Sequence, residues 1–217
     1  MSRPHRPERF DIIDTSGNRT GRTRRRDLVH RYGDWHRAFH CWIVVTAGES
    51  TPAVILQRRA DDKDTWPGAL DVSVGGHYRA GETLRDVVRE MSEEVGQGAP
   101  VEALNFLGHR MYACDAESGT RDREIQDVYI WRTPLPFDAF RPNPEEVAAL
   151  ELLTALDFLA LTTGQITTAP SRRCLPRGEI IQAQVRHSDL IPSLDGYFAR
   201  AAVAIDLTIR GYPHPII

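Results

Sequence analysis

The sequence predicts a mixed α/β fold. Apolar runs of strand length fill residues 38–45 and 53–56, the hydrophobic period changes to that of a helix near Glu82, and a second helical period occupies 194–210. The elements follow in chain order. A polar start that reads as frayed leads into an N-terminal hairpin, with strands at 10–14 and 19–23 joined by Thr15-Ser16-Gly17-Asn18. Arg22, Arg24, Arg25 and Arg26 form a basic cluster without interleaved aromatics, which reads as a solvated edge rather than a nucleic-acid site. Gly48-Glu49-Ser50 suits a hairpin between the two apolar strands. Trp66-Pro67-Gly68 is a turn, and 70–74 alternates as a strand before Gly75-Gly76.

From 82 to 95, Leu84, Val87, Val88, Met91 and Val95 fall on one helical face, and Gly96 is a natural stop. Strands are expected at 104–111 and 125–131, the second preceded by a turn around Ser118-Gly119-Thr120. A proline-rich loop (135–144), a strand (147–153) and a short helix (156–162) follow. After a polar break at 165–173, the last helix carries Leu194, Tyr197, Phe198, Ala201, Ile205 and Ile209 on one face. The expected organisation is a hairpin segment over 1–34, a central domain over 35–165 and a C-terminal helical extension over 166–217.

Composition narrows the function classes. With 217 residues, 41% hydrophobic and 26% charged, the chain has enough apolar content for a substantial core, and a net charge of −3 gives no global pull toward nucleic acid. Three scattered cysteines make neither a disulfide framework nor a zinc ribbon, and no run approaches a membrane span. The expectation is a cytoplasmic protein without a membrane partner. Lys63 is the only lysine among 27 basic residues.

The helix after Gly75-Gly76 carries the chemistry. Around its axis Glu93 and Asp86 lie roughly −60° and −40° from Glu90, and Glu94 about +40°. Four carboxylates thus share one face, where like charges cost a few tenths of a kcal/mol per pair. Either this is an acidic solvent face, or a divalent cation removes the repulsion, magnesium preferring such hard oxygen ligands.

Gly76, then five residues, then Glu82, then Arg89-Glu90-Met91-Ser92-Glu93-Glu94-Val95-Gly96 resembles the Nudix box. Two departures exist: six residues rather than seven separate Glu82 from Arg89, and Gln97 stands at the final aliphatic position. The deletion falls at the loop-to-helix junction and questions the partnership of Glu82 with Arg89. Asp86 is expected to take over part of the role of Glu82. Within the superfamily the chain is most similar to the isopentenyl-diphosphate isomerase-like branch, through Trp35–His40, Leu56–Lys63, Trp66–Gly68, Ser73–His77 and Ala80–Glu82. The isomerases place a catalytic cysteine where Gly75 stands here.

The resemblance implies a Nudix-type α/β/α sandwich with a mixed sheet, an N-terminal hairpin and a C-terminal helical extension. It implies hydrolysis of a diphosphate bond in a nucleoside diphosphate-linked small molecule, with Mg2+ as cofactor and Mn2+ as the alternative. Gly75 (through its carbonyl), Glu90, Glu94 and Glu124 would bind metal; Glu93 would orient or deprotonate water, and Arg89 would hold its neighbours. His36, His77 and Asp122 match further isomerase metal positions. Arg58, Arg59 and Lys63 align with diphosphate-binding positions, although adjacent strand residues cannot both face one pocket, and Lys63 reads equally as a solvent-exposed loop lysine. Rival readings are an isomerase, disfavoured by Gly75, and a non-catalytic nucleotide-binding module. A monomer and a homodimer both remain open.

Overall fold

The computed structural model describes residues 8–63, 65–116 and 119–217. The polar start before residue 8 and Ser118 of the expected turn lie outside them. Strands β1 (Arg9–Ile13) and β2 (Arg19–Arg25) pair antiparallel as the N-terminal hairpin, and α1 (Arg26–Tyr32) follows, stopped by Gly33 in the left-handed conformation (φ 68°). Next come β3 (His36–Val45), β4 (Ala53–Arg59), β5 (Leu70–Asp71) and β6 (Val74–His77), then α2 (Leu84–Val87) and α3 (Arg89–Val95). The chain continues through β7 (Leu104–Asp115), β8 (Arg121–Thr133), β9 (Val147–Thr154), α4 (Ala155–Thr162), β10 (Thr168–Cys174), β11 (Ile180–Arg186) and α5 (Tyr197–Ile209).

The large sheet runs β11-β10-β9-β4-β3-β8-β7, with β5 on β4 and β6 on β3. Among the described strands β3 and β8 pair in parallel and the other strand pairs are antiparallel, so the sheet is mixed. Alternation along β3 assigns the two faces. Phe39, Cys41, Ile43 and Val45 pack with Val87, Met91 and Val95 on the α2–α3 side; Trp42 and Val44 pack with Phe158, Leu161, Phe198 and Ile205 on the α4–α5 side. The result is the expected α/β/α sandwich.

A local divergence makes room for a site. Strands β3 and β4 pair only over Ile43–Val45 and Ala53–Ile55. Before that, His40 and Cys41 pair with β6, and Gln57 and Arg58 with β5. The two central strands therefore splay, and a cleft of about 690 Å3 opens at the gap.

Several elements differ from expectation, including the unexpected helix α1 and the division of the 82–95 helix into α2 and α3. The stretch 70–74 is split, with Ser73 between β5 and β6 and the glycine pair inside β6. The segment 166–217 is more than a helical extension, because β10 and β11 form a hairpin that extends the sheet through β9. Its inward positions, Ala169, Ser171 and Cys174, are too small or polar to form an apolar run. The last helix begins at Tyr197, after Gly196 in the left-handed conformation (φ 67°), leaving Leu194 fully exposed and outside the apolar face.

The hairpin is tied in by a buried charge. Glu151 on β9 is fully buried and accepts from Arg58 Nη2 (3.3 Å), Arg173 Nε (2.5 Å) and Ser171 Oγ (2.9 Å). Removing one partner of such a network strands the others in a poorly solvated site. Glu151→Ala is expected to cost about 3 kcal/mol in urea unfolding, whereas a loss below about 1 kcal/mol would mean water reaches both arginines.

Candidate active site

The glycine pair and α3 meet at the cleft. Gly76 is required by close approach: a Cβ there would lie 2.5 Å from Glu90 Cγ. The Gly75 N–H donates to Glu94 Oε2 (3.1 Å), and Gln57 Nε2 approaches the same oxygen (3.4 Å). Glu94 is buried, and burial followed by the charge of Glu90 raises its pKa well above the ordinary range. Burial also raises Glu90, which accepts from Arg89 Nη1. Glu93 is exposed at the rim, 3.4 Å from Arg89 Nη1.

The shortened box does not separate Glu82 from Arg89. The two pair at 3.2 Å, with Glu82 in the loop before α2, so the doubted partnership stands. The helix breaks at Val88, between α2 and α3. Asp86 does not move toward the site. It is exposed and accepts from the Thr83 N–H and Oγ (2.8 Å each), capping α2.

Among the described residues, no group of three or more His, Cys, Asp or Glu side-chain ligand atoms within 4.8 Å of one another includes Glu90, Glu93 or Glu94. Glu124 instead joins a second cluster with His30, His36, His77 and Asp122. Parallel register sets His36 opposite Glu124, antiparallel register sets His77 opposite Ala38, and His30 arrives from α1. Phe10 of β1 stacks on His36 and His77 (centroids 5.2 and 4.9 Å) and covers the cluster.

The electrostatics of this cluster fit a cation. His77 Nε2 lies 2.8 Å from Glu124 Oε1, while His36 Nε2 is 3.8 Å from that oxygen and 3.9 Å from Asp122 Oδ1. The Nε2 atoms of His30 and His36 and Oδ1 of Asp122 are buried without a hydrogen-bond partner. Three imidazoles and two carboxylates would suit a first-row transition ion that takes mixed nitrogen and oxygen ligands, and the carboxylates Glu90 and Glu94 a hard ion such as Mg2+ or Mn2+.

Burial, reinforced by His77, lowers His30 to about 3 and His36 to about 4; burial and then Glu124 raise Asp122 to about 8. For Glu124, burial is outweighed by His77 and His36, and its carboxyl sits well below the usual range. These shifts oppose one another in metal-free protein. From about pH 4 to 6.5 the unfolded histidines take up protons that the folded ones refuse, while unfolded Asp122 and Glu94 ionise and the folded ones retain their protons, so the two contributions run against each other. Above about pH 6.5 the unfolded histidines are neutral as well and only the carboxyl contribution is left, so stability is expected to fall toward pH 8. Melting temperatures from about pH 6.5 to 8 in chelator check this; a rise over that range would contradict it.

The basic positions divide. Arg59 and Lys63 line the cleft, Arg59 on Asp71 (3.1 Å) and Lys63 on Glu146. Arg58 does not line it; it points to the other face, onto Glu151 and the Gly68 carbonyl. The expected trio is thus a pair, as strand alternation requires. Sequence reasoning missed His30, His40, Gln57, Arg110 and Tyr197, all of which line the cleft. His40 carried a signal, being two steps along β3 from Ala38 and four from His36 on the same face; the others arrive from separate elements.

Among the described residues, no helix is long and apolar enough to cross a membrane. Residues 34–173 match the family model of the NUDIX domain. Nudix hydrolase 3 of Arabidopsis thaliana is 41% identical over 148 residues, 66% of this chain and 19% of that protein. The chain therefore spans about a fifth of that relative's length. The isopentenyl-diphosphate Delta-isomerase of Paenarthrobacter aurescens is 31% identical over 138 residues, 63% of this chain and 71% of that one. The crystal structure of DR0079 from Deinococcus radiodurans superimposes with a TM-score of 0.51 at 26% identity, covering 72% of this chain and 90% of that chain. Members of the matched family use divalent metal ions. With Gly75, Gly76, Glu90, Glu93 and Glu94 of the box brought to one cleft and the family model covering most of its length, the chain belongs to the Nudix hydrolase family.

Proposed function

We propose that this protein is a cytoplasmic, magnesium-dependent pyrophosphohydrolase that cleaves the diphosphate bond of a nucleoside diphosphate-linked small molecule. The interlock of Gly76 with Glu90 carries this reading, because it sets Glu90 and Glu94 against the Gly75–Gly76 backbone at the cleft. Glu90, Glu94 and the Gly75 carbonyl would hold the cation, with Glu124 contributing through the histidine cluster; a cation bound there would neutralise charge on the diphosphate oxygens and lower the pKa of water.

Glu93, exposed at the rim, orients the attacking water and accepts its proton. Arg89 contacts Glu82, Glu90 and Glu93 together and fixes the carboxylates against their mutual repulsion. Arg59 and Lys63 bind phosphate oxygens, exchanging their contacts to Asp71 and Glu146 for the more highly charged ligand. The free cysteines Cys41, Cys114 and Cys174 agree with a reducing compartment.

The histidine–carboxylate cluster favours one second reading, an isomerase acting on an allylic diphosphate, since the Paenarthrobacter aurescens isomerase is a relative. Gly75 offers no thiol for protonating an alkene carbon. Incubation with UDP-glucose, ADP-ribose and isopentenyl diphosphate in magnesium separates the readings. Phosphate-bond cleavage of a nucleotide conjugate is expected; conversion of isopentenyl diphosphate with its diphosphate intact would support the isomerase. A raised melting temperature without consumption of any compound would support a binding module.

A further inference from the structure

Beyond the box and the histidine cluster, the cleft has a wall built by the C-terminal segment, including Tyr197 and Phe198 of α5. Tyr197 is buried, and its hydroxyl lies 2.9 Å from His40 Nδ1 and 3.2 Å from Trp42 Nε1. The tryptophan N–H can only donate, so the tyrosine oxygen accepts from it. Among the described hydrogen bonds the buried hydroxyl proton has no acceptor other than His40 Nδ1, so donation there, with Nδ1 accepting, is the arrangement that leaves it satisfied. Neutral His40 consequently carries its proton on Nε2. Arg110 fixes the phenol from the other side: its guanidinium lies over the Tyr197 ring (4.1 Å) and is held by Asp195 at 2.8 and 3.1 Å.

His40 Nε2 faces the gap at Gly75. A Cβ built on Gly75 would stand 3.6 Å from it, and the Gly75 N–H on the same residue contacts Glu94. Strand alternation puts His40 on the α5 side of Gly75 and Glu90 on the α3 side of Gly76, and both side chains line the one cleft. His40 is buried and lines the cleft, and burial keeps it neutral, with a pKa lowered to about 4.

We propose that His40 donates a hydrogen bond through Nε2 to an oxygen of the bound diphosphate in the gap at Gly75, and that Tyr197 is the positioning residue that holds it in the donating tautomer. This rests on the diphosphate reading above. It gives the C-terminal helix a part in ligand recognition, since Tyr197 reaches His40 from 157 residues away in sequence. A neutral donor also fits a site already crowded with carboxylates, because it adds a directed contact without a second strongly hydrated charge.

The test uses the full chain with magnesium and imidodiphosphate, a diphosphate analogue that is not turned over. Calorimetric titration is expected to show binding weakened about tenfold or more in His40→Ala, in line with a hydrogen bond to a charged group. His40→Gln, which restores a side-chain N–H, is expected to recover most of it. Gly75→Ala is expected to fold normally, because its Cβ meets Val72 Cγ1 at 3.4 Å and His40 Nε2 at 3.6 Å, yet to lose affinity by filling the gap. Nitrogen-15 spectra of the histidines should show His40 protonated at Nε2 in the wild type and a tautomer mixture in Tyr197→Phe.

Wild-type protein that fails to bind imidodiphosphate, His40→Ala or Gly75→Ala binding at full strength, or a proton on Nδ1 would each overturn the proposal. The titration and the spectra need no turnover. A protein that binds imidodiphosphate as described but hydrolyses no nucleotide conjugate would defeat the hydrolase reading while leaving His40 as the donor.

Discussion

Replacing Glu94 by glutamine is expected to lower kcat about a thousandfold, equivalent to ~4 kcal/mol of transition-state stabilisation. The amide is neutral and a weaker cation ligand, but its carbonyl can still accept from the Gly75 N–H, so the fold survives. Stability should even rise in metal-free protein. The raised pKa of Glu94 means that the unfolded chain ionises above about pH 4.5 while the folded one retains its proton, which costs stability progressively as pH climbs. The glutamine variant lacks that slope, so the gap in melting temperature between variant and parent should widen from pH 5 to pH 8. Glu93→Gln should lower kcat about a hundredfold or more with little change in melting temperature, because Glu93 is exposed and its described ion pair is a single one to Arg89. Full turnover in either variant, in a phosphate-release assay with magnesium, would remove that carboxylate from the mechanism.

The largest loss of stability is expected from Phe198→Asp. Phe198 is 6% exposed and packs edge-on against Trp42 at 5.6 Å, in the core between the sheet and the α4–α5 pair. Removing the ring costs about 3–5 kcal/mol, and forcing a carboxylate into its place adds a desolvation cost. The total is of the order of the whole stability of many domains of this size. The mass in solution is expected to stay unchanged, because the apolar face of α5 is covered by the protein's own sheet. Light scattering that showed a dimer split into monomers by this substitution would place that face between two copies instead. The variant should also lose affinity for imidodiphosphate, since Tyr197 precedes Phe198 on the same helix.

How much was legible in the sequence follows from which interactions are local. The box helix, its apolar stripe and its glutamate face repeat at helical spacing, so Glu90, Glu93 and Glu94 could be read from the chain directly. The strands β3, β4, β8 and β9 could be read as well, because their buried faces are written in bulky apolar residues. The hairpin β10–β11 was not legible. The buried positions of β10 are small or polar, β11 adds only Val185 among its described buried residues, and the stabilising charge, Glu151, belongs to a strand some twenty residues earlier.

The site divides along the same line. The sequence by itself determined the fold class, the carboxylate face of α3, and the rule that Arg58 and Arg59 must point opposite ways, since all three are consequences of backbone periodicity. Only the tertiary structure decided which of the two arginines meets the cleft. It likewise decided that the helix breaks at Val88 and Glu82 pairs with Arg89, that Glu124 sides with the histidines, and that Tyr197 reaches His40. The physical reason is range. Helix and strand periods act over a few residues, whereas these contacts join side chains from 7 to 157 positions apart, and strand register and core packing alone bring them together.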